Sequence, residues 1–458
     1  MTQLRNIVLI FVLIIGAIVW YIYARNKPED FSIASTGINK ALTVKSVINV
    51  STPVSEISRN EYLKSLVDSD VDPEKVFWHV MSASSAFDPK TNKNYLFERV
   101  FYMTKDQVGH QFDQIDRSYI ILTVWMADWS RRVEGVDLKV IPLPGNIYTD
   151  GGNYQGPEDA RVVFDENRGI IISNFNMLSP KKDRQMYQIY IDPQNNFKTG
   201  PLVQLFHENG TRNYIEKNWT PLFWNNELMY VYSLQPLRVL RCDLIEGLGN
   251  DIDKEAGRRA VCKVIFGGPA VSTTDQTGNL RCGTNWIEYQ QGLYVSIGRT
   301  RLGNPKPCSN PIYRPHLLLL DLRDELQARI RYVSEPIVFM DKILFTLYSK
   351  ALGKVVNRIC ERHAVLTPGS LTQLSDDSVD LAISINDDVN AIVRLGGFES
   401  TISNIISSID EQDLNERDAI ANSELQMRAY ILSNFTNPKT NSGYEENPIL
   451  WESLQGLE

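Results

Sequence analysis

The amino-acid sequence predicts an all-β fold, and its pattern favours a β-propeller. Short runs of β-branched and aromatic residues recur in pairs around tight polar turns, which is the pattern of β-hairpins. Aromatic residues are frequent, with 20 Tyr, 17 Phe and 8 Trp, and such residues suit half-buried strands. The predicted hairpins pair residues 161–164 with 169–173, 221–224 with 228–233, 286–289 with 293–297, and 380–385 with 391–395.

Three of these hairpins follow a polar, charged cluster, and the clusters are regularly spaced. They are GPEDAR at 156–161, EKNW at 216–219 and RCGTN at 281–285, with 59 residues from Glu158 to Lys217 and 64 from Lys217 to Arg281. This spacing fits four-stranded propeller blades. Because the first strand of each blade lines the central channel, we expect the clusters to meet in one axial pocket. Unrelated turns of a β-sandwich are the alternative.

The composition is that of a folded protein and argues against a nucleic-acid partner. Hydrophobic residues make up 43% of the 458 residues and charged residues 22%, which is enough apolar material for a sizeable core. Lys and Arg number 47 against 55 Asp and Glu, so the net charge is −8. The basic residues are scattered, whereas a nucleic-acid-binding surface concentrates them.

The amino-terminal end predicts a membrane anchor. Residues 7–24 read IVLIFVLIIGAIVWYIYA, without a charge and with bulky aromatic residues where a signal peptide has its small-residue cleavage site. We expect a cytoplasmic tail at 1–6 and an uncleaved single-pass type II signal anchor at 7–24. The flanking positive charges are nearly balanced. Glycosylation triplets, which favour a lumenal body, occur at Asn49, Asn209, Asn218 and Asn434.

Changes of pattern along the chain give the expected domain bounds. Residues 25–74 are polar and are expected to form a stem that includes a helix at Pro53–Val67, since proline fits a first helical turn. The propeller domain is expected at 75–400. A carboxy-terminal extension follows at 401–458, in which the polar-acidic stretch 403–432 predicts one or two peripheral amphipathic helices.

The cysteines lack the spacing of a structural zinc site. They are Cys242, Cys262, Cys282, Cys308 and Cys360, without a CxxC pair. In a secretory lumen one or two disulfides are expected, and Cys282 with Cys308 is the preferred pair because both flank one predicted blade segment. Buried free thiols are an equal alternative.

The strongest candidate for chemistry is the cluster of Glu158, Asp159 and Arg161. A guanidinium beside two adjacent carboxylates can keep one ionised while the other binds substrate hydroxyls. The Gly-rich loop before the cluster and the apolar RVVF after it place these charges at the start of a buried strand. A solvated surface turn is the simpler interpretation.

Lys217, Asn218 and Trp219 form a second candidate. A lysine beside an indole can bind phosphate or sugar. Alternatively, Trp219 lies in the core and Lys217 in solvent. Asn218 also heads a glycosylation triplet, and a glycosylated Asn218 would not line a pocket.

A basic set follows in the sequence and suits an anionic leaving group. Its members are Arg281, Thr284, Asn285, Arg299, Arg301, Arg314 and His316. Guanidinium forks match phosphate oxygens in pairs, so a diphosphate is the anion that this set fits. Surface salt bridging is the alternative.

Motifs of nucleotide-binding folds and metalloenzymes are missing from the sequence. It contains no P-loop, no GxGxxG after a strand, no GxSxG and no HExxH. Asn386, Asp387 and Asp388 predict a hairpin turn and not a metal clamp, since Asn and Asp tolerate left-handed backbone. We predict no metal site and no cofactor, and leave metal dependence of the reaction open.

Together these motifs resemble the fungal β-1,2-mannosyltransferases, glycosyltransferase family 91. The resemblance covers roughly residues 75 to 400 and rests on GPEDARVVFDE, RNYIEKNWTPLFW with MYVYSLQPLRVLRCD, LRCGTNWI with LYVSIGRT, and YRPHLLLLDL. GPEDARV also resembles the EDPR motif of glycoside hydrolase family 130, the propeller phosphorylases of β-mannosides. Ala160 replaces the proline of that motif, and Cys282 stands where a second glycine is common. These resemblances imply a five-bladed propeller with an axial sugar site.

The resemblance also implies inverting transfer of mannose from GDP-α-mannose to a mannoside of cell-wall mannan or a related glycan, in the Golgi lumen. It implies Asp159 as the base, and we expect Glu158 to orient the sugar, with His316 as an alternative base. The expected substrate-binding residues are Arg161, Lys217, Asn218, Arg281, Thr284, Asn285, Arg299 and Arg314. A β-mannoside phosphorylase or hydrolase, and a non-catalytic lumenal mannan-binding protein, are the alternative functions.

Overall fold

The computed structural model describes residues 41–104, 117–142, 156–178, 184–208, 216–234, 236–244, 258–267, 280–302, 312–324, 328–337, 347, 365–374 and 376–412. The predicted tail and anchor at 1–24 lie outside the described residues. Within these ranges, no helix has both the length and the apolar character that crossing a bilayer requires.

Strands dominate the described residues, so the all-β prediction is confirmed. Those of the first half are β1 (Thr43–Asn49), β2 (Phe77–Asp88), β3 (Lys93–Met103), β4 (Arg117–Met126), β5 (Lys139–Val140), β6 (Glu158–Asp165), β7 (Ile170–Leu178), β8 (Arg184–Asp192), β9 (Lys198–Thr199), β10 (Val203–His207) and β11 (Thr220–Trp224). Those of the second half are β12 (Glu227–Leu234), β13 (Leu237–Leu244), β14 (Arg258–Gly267), β15 (Leu280–Arg281), β16 (Ile287–Gln290), β17 (Leu293–Leu302), β18 (Ile312–Asp321), β19 (Arg329–Pro336), β20 (Leu366–Gln373), β21 (Ser378–Ile385) and β22 (Val389–Gly396). All four predicted hairpins are present, as β6–β7, β11–β12, β16–β17 and β21–β22.

The strands are grouped into five antiparallel units, which we call meanders 1 to 5. Meander 1 is β2–β5, meander 2 is β6, β7, β8 and β10, and meander 3 is β11–β14. Meander 4 has β15 and β16 on one edge of β17, followed by β18 and β19, and meander 5 is β20–β22. Meanders 2 and 3 share one sheet because their outer strands, β10 and β14, pair in parallel.

The amino-terminal strand completes the carboxy-terminal unit. Strand β1 pairs antiparallel with β22, with Ile48 opposite Ile392. It therefore becomes the fourth strand of meander 5, which ties the two ends of the described fold together. This strand lies inside the predicted stem at 25–74, so that part of the stem belongs to the folded body.

Hydrophobic clusters lie between successive meanders and close into a ring. Phe97 packs with Phe175 between meanders 1 and 2, and Met186 packs with Trp219 between meanders 2 and 3. Further clusters lie between meanders 3 and 4 and between meanders 4 and 5. Ala83 then packs with Ile392, bringing meander 5 back onto meander 1. The strand architecture is thus propeller-like.

The helices are peripheral and differ from the prediction in their bounds. They are α1 (Val54–Ile57), α2 (Glu61–Ser65), a 3-10 helix (Pro73–Lys75) and α3 (Phe398–Gln412). The single helix predicted over Pro53–Val67 is wrong: Asn60 adopts an extended backbone and its side chain caps α2 at Leu63, which splits the segment. Helix α3 starts earlier than the predicted residue 403 and ends at Gln412; the rest of 403–432 lies outside the described residues.

The disulfide also differs from the prediction. Cys242 on β13 is bonded to Cys262 on β14, where the two residues are direct cross-strand partners. Cys282 is buried and free, so the preferred Cys282–Cys308 pair is wrong. Burial raises the pKa of the Cys282 thiol to about 11, and the thiol is protonated at neutral pH. Cys308 and Cys360 lie outside the described residues.

Candidate active site

The first strands of meanders 1, 2 and 5 approach one another closely because their residues are small. The sequence around Ser84 on β2 is MSASSAF. The Ser84 hydroxyl donates to the Gly369 carbonyl on β20 and accepts from the Val162 amide on β6, both at 3.2 Å. A Cβ atom at Gly369 would lie 1.7 Å from the Ala83 carbonyl oxygen. Only glycine therefore permits this approach.

Two of these strands contain β-bulges at which polar side chains meet. The pairing register of β2 shifts between Met81 and Ser84, and that of β6 shifts between Glu158 and Arg161. Ser82 and Asp159 lie within the bulges with φ of 55° and 50°. The Ser82 hydroxyl donates a hydrogen bond of 3.2 Å to Asp159 Oδ1. Bulges and left-handed backbone at residues other than glycine are features that cluster at functional sites.

Asp159 is a half-buried carboxylate surrounded by cations. Burial raises its pKa, but nearby positive charges outweigh this effect and hold the pKa below the ordinary value of an aspartate. These cations are, in order of effect, Arg161, Arg299, Arg99 and Lys217. They belong to meanders 1, 2 and 4 and to the segment before β11. The carboxylate is ionised at neutral pH and can accept a proton.

Glu158 is committed to two arginines. One carboxylate oxygen accepts a 2.9 Å hydrogen bond from Arg99, and the other accepts from Arg184 Nη1. Glu158 is only 8% exposed. Both carboxylate oxygens of Glu158 are therefore engaged by arginines. This arrangement favours a role for Glu158 in positioning Arg99, one of the cations around Asp159.

Two buried arginines have uncommitted donors. Arg161 donates through Nε to the Gly283 carbonyl at 2.6 Å, and Arg299 donates through Nη2 to Asn218 at 3.2 Å. Arg161 Nη2 and Arg299 Nε and Nη1 are buried, and none of them has a hydrogen-bond partner among the described residues. Buried N–H groups normally have partners, so these donors are suited to an anionic ligand.

Cross-strand pairing points to an anion in the same place. Arg281 on β15 lies directly opposite Arg299 on β17, and like charges at such positions repel. Burial lowers the pKa of Arg281, and the charges of Arg299 and Arg301 lower it further. A bound anion would relieve this repulsion. Arg299 also stacks on Tyr313, with its guanidinium carbon 5.2 Å from the ring centre.

The segment before β11 has the arrangement of the second interpretation, in which the indole is buried and the lysine is exposed. Trp219 lies in the core and donates to Glu216, while Lys217 is exposed but still lowers the pKa of Asp159. Asn218 has a φ of 64° and accepts from Arg299. This contact favours a pocket position for Asn218 over a glycosylated one.

Asp387 is a candidate site residue for which the sequence analysis predicted only a turn. Asn386 and Asp387 form the predicted β21–β22 turn, with φ of 52° and 57°. The turn lies beside the start of β20, since Leu366 pairs with Ile385. Burial raises the pKa of Asp387 to about 6, and the charge of Asp159 contributes to this rise. The sequence pattern of a turn does not predict which other residues the turn will lie beside, because that depends on how the strands pair.

Four predicted site residues are held by the surrounding fold. His316 is fully buried; Nδ1 lies 2.8 Å from the Ser334 carbonyl and Nε2 lies 2.8 Å from the Thr300 hydroxyl. Burial lowers the His316 pKa to about 4, and both nitrogens are occupied, so the geometry disfavours His316 as the base.

Asn285 binds the backbone of Leu371 at 3.0 and 2.8 Å and links meanders 4 and 5. Thr284 and Arg314 are likewise buried and donate to the backbone carbonyls of their chain neighbours.

No cluster of His, Cys, Asp and Glu side chains that could hold a metal ion occurs among the described residues. The charges that converge on Asp159 come from arginine and lysine. The chemistry that this arrangement offers is a proton acceptor beside donors for an anion.

The comparison with protein families decides which chemistry this is. The family model of the beta-mannosyltransferases matches residues 177–431, more than half of the chain. The chain belongs to the β-mannosyltransferase family. The resemblance noted in the sequence is thereby confirmed, and with it the glycosyltransferase class.

Curated members of the β-mannosyltransferase family are similar along most of the chain. Beta-mannosyltransferase 3 of Candida albicans is 25% identical over 413 residues, covering 84% of this chain and 69% of that protein. Beta-mannosyltransferase 2 of Komagataella phaffii is 26% identical over 365 residues, covering 72% and 52%. The chain thus spans from about half to two thirds of the length of these relatives.

The solved structures to which the chain is distantly similar include a phosphorylase and a mannosyltransferase. A β-1,2-mannobiose phosphorylase from Listeria innocua has 13% identity and a TM-score of 0.42, covering 74% of this chain and 95% of that one. A GDP-Man-dependent mannosyltransferase from Leishmania mexicana has 8% identity and a TM-score of 0.38, covering 70% and 86%.

Proposed function

We propose that the protein transfers mannose from GDP-α-mannose to a hydroxyl of a mannoside and forms a β-1,2 linkage with inversion. The observation that carries this proposal is the ionised Asp159 carboxylate beside buried arginine donors that have no hydrogen-bond partner among the described residues. Membership of the β-mannosyltransferase family supports mannosyl transfer in general.

The proposed reaction is a single displacement. The acceptor hydroxyl attacks the anomeric carbon, the bond from that carbon to the diphosphate oxygen breaks, and GDP leaves with the electron pair. Asp159 takes the proton of the attacking hydroxyl, directly or through a sugar hydroxyl. The Ser82 hydrogen bond fixes one carboxylate oxygen and leaves the other for substrate.

Arginines stabilise the leaving diphosphate in this scheme. Arg299 and Arg161 offer buried donors, and Arg281 adds charge next to Arg299. Preorganised donors in a site that excludes water stabilise developing negative charge strongly. Asp387, with a pKa of about 6, is assigned to bind a sugar hydroxyl facing Asp159.

We infer that the five meanders are the blades of a five-bladed propeller and that the site lies on its axis. The cyclic order of the hydrophobic clusters supports this inference. Asp159, Lys217 and Arg281 come at the starts of the first strands of meanders 2, 3 and 4, and Asp387 lies at the same end of meander 5.

We further propose that residues 7–24 anchor the protein in the Golgi membrane with the body at 75–400 in the lumen. The uncharged apolar run and the glycosylation triplets support this. Asn49 is exposed on β1, where a glycan can be attached. Mapping of glycosylated peptides from secreted and membrane fractions tests this orientation. The proposal would be contradicted if residues 75–400 carried no glycan and were digested by a protease added from the cytoplasmic side.

A phosphorylase or hydrolase on the same scaffold is the second candidate, because the uncommitted arginine donors suit inorganic phosphate as well as a diphosphate. One experiment separates the two. The full chain is incubated with GDP-mannose and α-1,2-mannotetraose, and in parallel with phosphate and β-1,2-mannobiose. Elongation of the tetraose with a β-linked mannose supports the transferase. The transferase proposal would be overturned if the tetraose were not elongated while β-1,2-mannobiose was cleaved to mannose 1-phosphate or to free mannose alone.

A further inference from the structure

A polar cavity lies between meanders 2 and 3, at the end of the strands away from the candidate site. Its volume is about 500 Å³, and its lining includes Asp165 and Asn226. Asp165 ends β6, whereas Asp159 lies near the start of that strand. At about 3.3 Å per residue the two positions are roughly 20 Å apart along β6. The cavity is therefore separate from the site described above.

Meanders 2 and 3 meet along an interface that we call the seam. The side chains that line the seam differ between its two ends. Toward the candidate site, Trp219 and Met186 fill the seam with apolar side chains. At the other end, Gln188, Tyr190 and Arg241 line it instead. Parallel pairing of β10 with β14 closes the outer wall. A hydrogen bond of 3.3 Å from Asn167 to Asn226 joins the two turns at that end of the seam.

Polar groups in the cavity keep hydrogen-bonding capacity. Arg241 forms long ion pairs with Glu227 at 3.8 Å and with Asp243 at 3.6 Å, and neither is short enough to be a hydrogen bond. Arg241 Nε is buried and lacks a hydrogen-bond partner within the described residues. Tyr190 also lines the cavity beside Tyr230; burial raises the pKa of the Tyr230 phenol, and the charge of Tyr190 raises it further.

The balance of these groups selects a class of ligand. The carboxylates of Asp165, Glu227 and Asp243 outnumber the guanidiniums of Arg168 and Arg241, so an anion is disfavoured. Donors and acceptors of both kinds suit hydroxyl groups. The rings of Tyr190 and Phe223 add apolar surface for the carbon face of a sugar, and the volume is in the range of small-molecule sites.

We propose that this cavity binds a neutral pyranose of a glycan chain and holds a long mannoside while its end is elongated at the distant site. The assignment to a mannoside rests on the proposed function. Because the two sites lie on opposite ends of the strands, a short acceptor reaches one of them and a long chain can reach both.

The test maps where a mannoside binds, independently of turnover. The full-chain protein is photolysed with α-1,2-mannotetraose carrying a diazirine, and the labelled peptides are identified. Label is expected on peptides containing 223–244 as well as on those containing 156–161. Leu244→Trp narrows the cavity at an exposed lining residue and should reduce the first label at least five-fold while leaving the second unchanged.

The control is Val54→Trp, the same kind of enlargement at an exposed apolar residue elsewhere, which should change neither label. Tyr190→Phe, which removes only the hydroxyl, should weaken the cavity label with an unchanged melting temperature. Absence of label on 223–244, or equal label in Leu244→Trp, overturns this inference. Labelling of the cavity in a protein that transfers no mannose would instead contradict the proposed function alone.

Discussion

Ser82 donates a hydrogen bond to Asp159 across 77 residues of sequence, and both residues occupy left-handed backbone. This contact joins the first strands of meanders 1 and 2 at their bulges. It fixes one oxygen of the carboxylate that we propose as the proton acceptor.

Removing the Ser82 hydroxyl is expected to slow transfer without abolishing it. In Ser82→Ala the carboxylate loses a hydrogen bond worth about 1 to 2 kcal/mol, so kcat should fall roughly ten-fold. Ser130→Ala, at an exposed turn, serves as the control. Steady-state transfer kinetics measure the effect, and an unchanged kcat would show that the contact does not position Asp159 for the reaction.

Asp387→Asn should lower activity and raise stability at neutral pH. Its pKa of about 6 in the folded protein exceeds the unfolded value, so ionisation destabilises the fold as pH rises through this range. Removing that charge should stabilise the protein by up to about 3 kcal/mol at pH 7.5 and by little at pH 4. Melting temperatures of both proteins at the two pH values test this.

The same variant should change the pH dependence of transfer. If ionised Asp387 binds a sugar hydroxyl, wild-type activity falls as pH drops through about 6, and this limb is absent from Asp387→Asn. An Asp387→Asn protein with wild-type activity and an unchanged pH profile would remove Asp387 from the site.

Arg299 is expected to contribute to donor binding. Arg299→Lys keeps a positive charge but loses the planar fork, and lost charge-assisted hydrogen bonds of about 1.5 to 3 kcal/mol predict a KM for GDP-mannose that is roughly 10-fold to 100-fold higher. Arg131→Lys, whose side chain is 62% exposed, is the matched control. A KM within two-fold of wild type would place the diphosphate elsewhere.

His316→Gln should affect stability and not the chemistry. Both ring nitrogens are hydrogen-bonded inside the fold, and glutamine cannot reproduce both contacts. The free energy of unfolding should fall by about 1 to 3 kcal/mol, with the pH profile of transfer preserved in the folded fraction. If stably folded His316→Gln protein lost nearly all transfer activity, His316 would be restored as the alternative base.

The sequence was sufficient for strands, hairpins and the charged clusters because these depend on local pattern. It was insufficient for contacts that depend on the pairing or packing of strands that are separated in the sequence. The turn that holds Asp387 lies beside the start of β20 because β20 and β21 are antiparallel. The ring nitrogens of His316 are hydrogen-bonded by Thr300 and Ser334, which lie elsewhere in the sequence. The Cys242–Cys262 pair depends on the register of β13 and β14, which spacing alone does not reveal.

Transfer by Asp159→Asn tests the central claim most directly. Loss of a general base typically costs about 10² to 10⁴ in rate, so mannose transfer from GDP-mannose should slow by at least that lower factor while the melting temperature stays near that of wild type. Asp137→Asn, at an exposed aspartate, should retain full activity. A folded Asp159→Asn protein that transfers mannose at the wild-type rate would contradict the account.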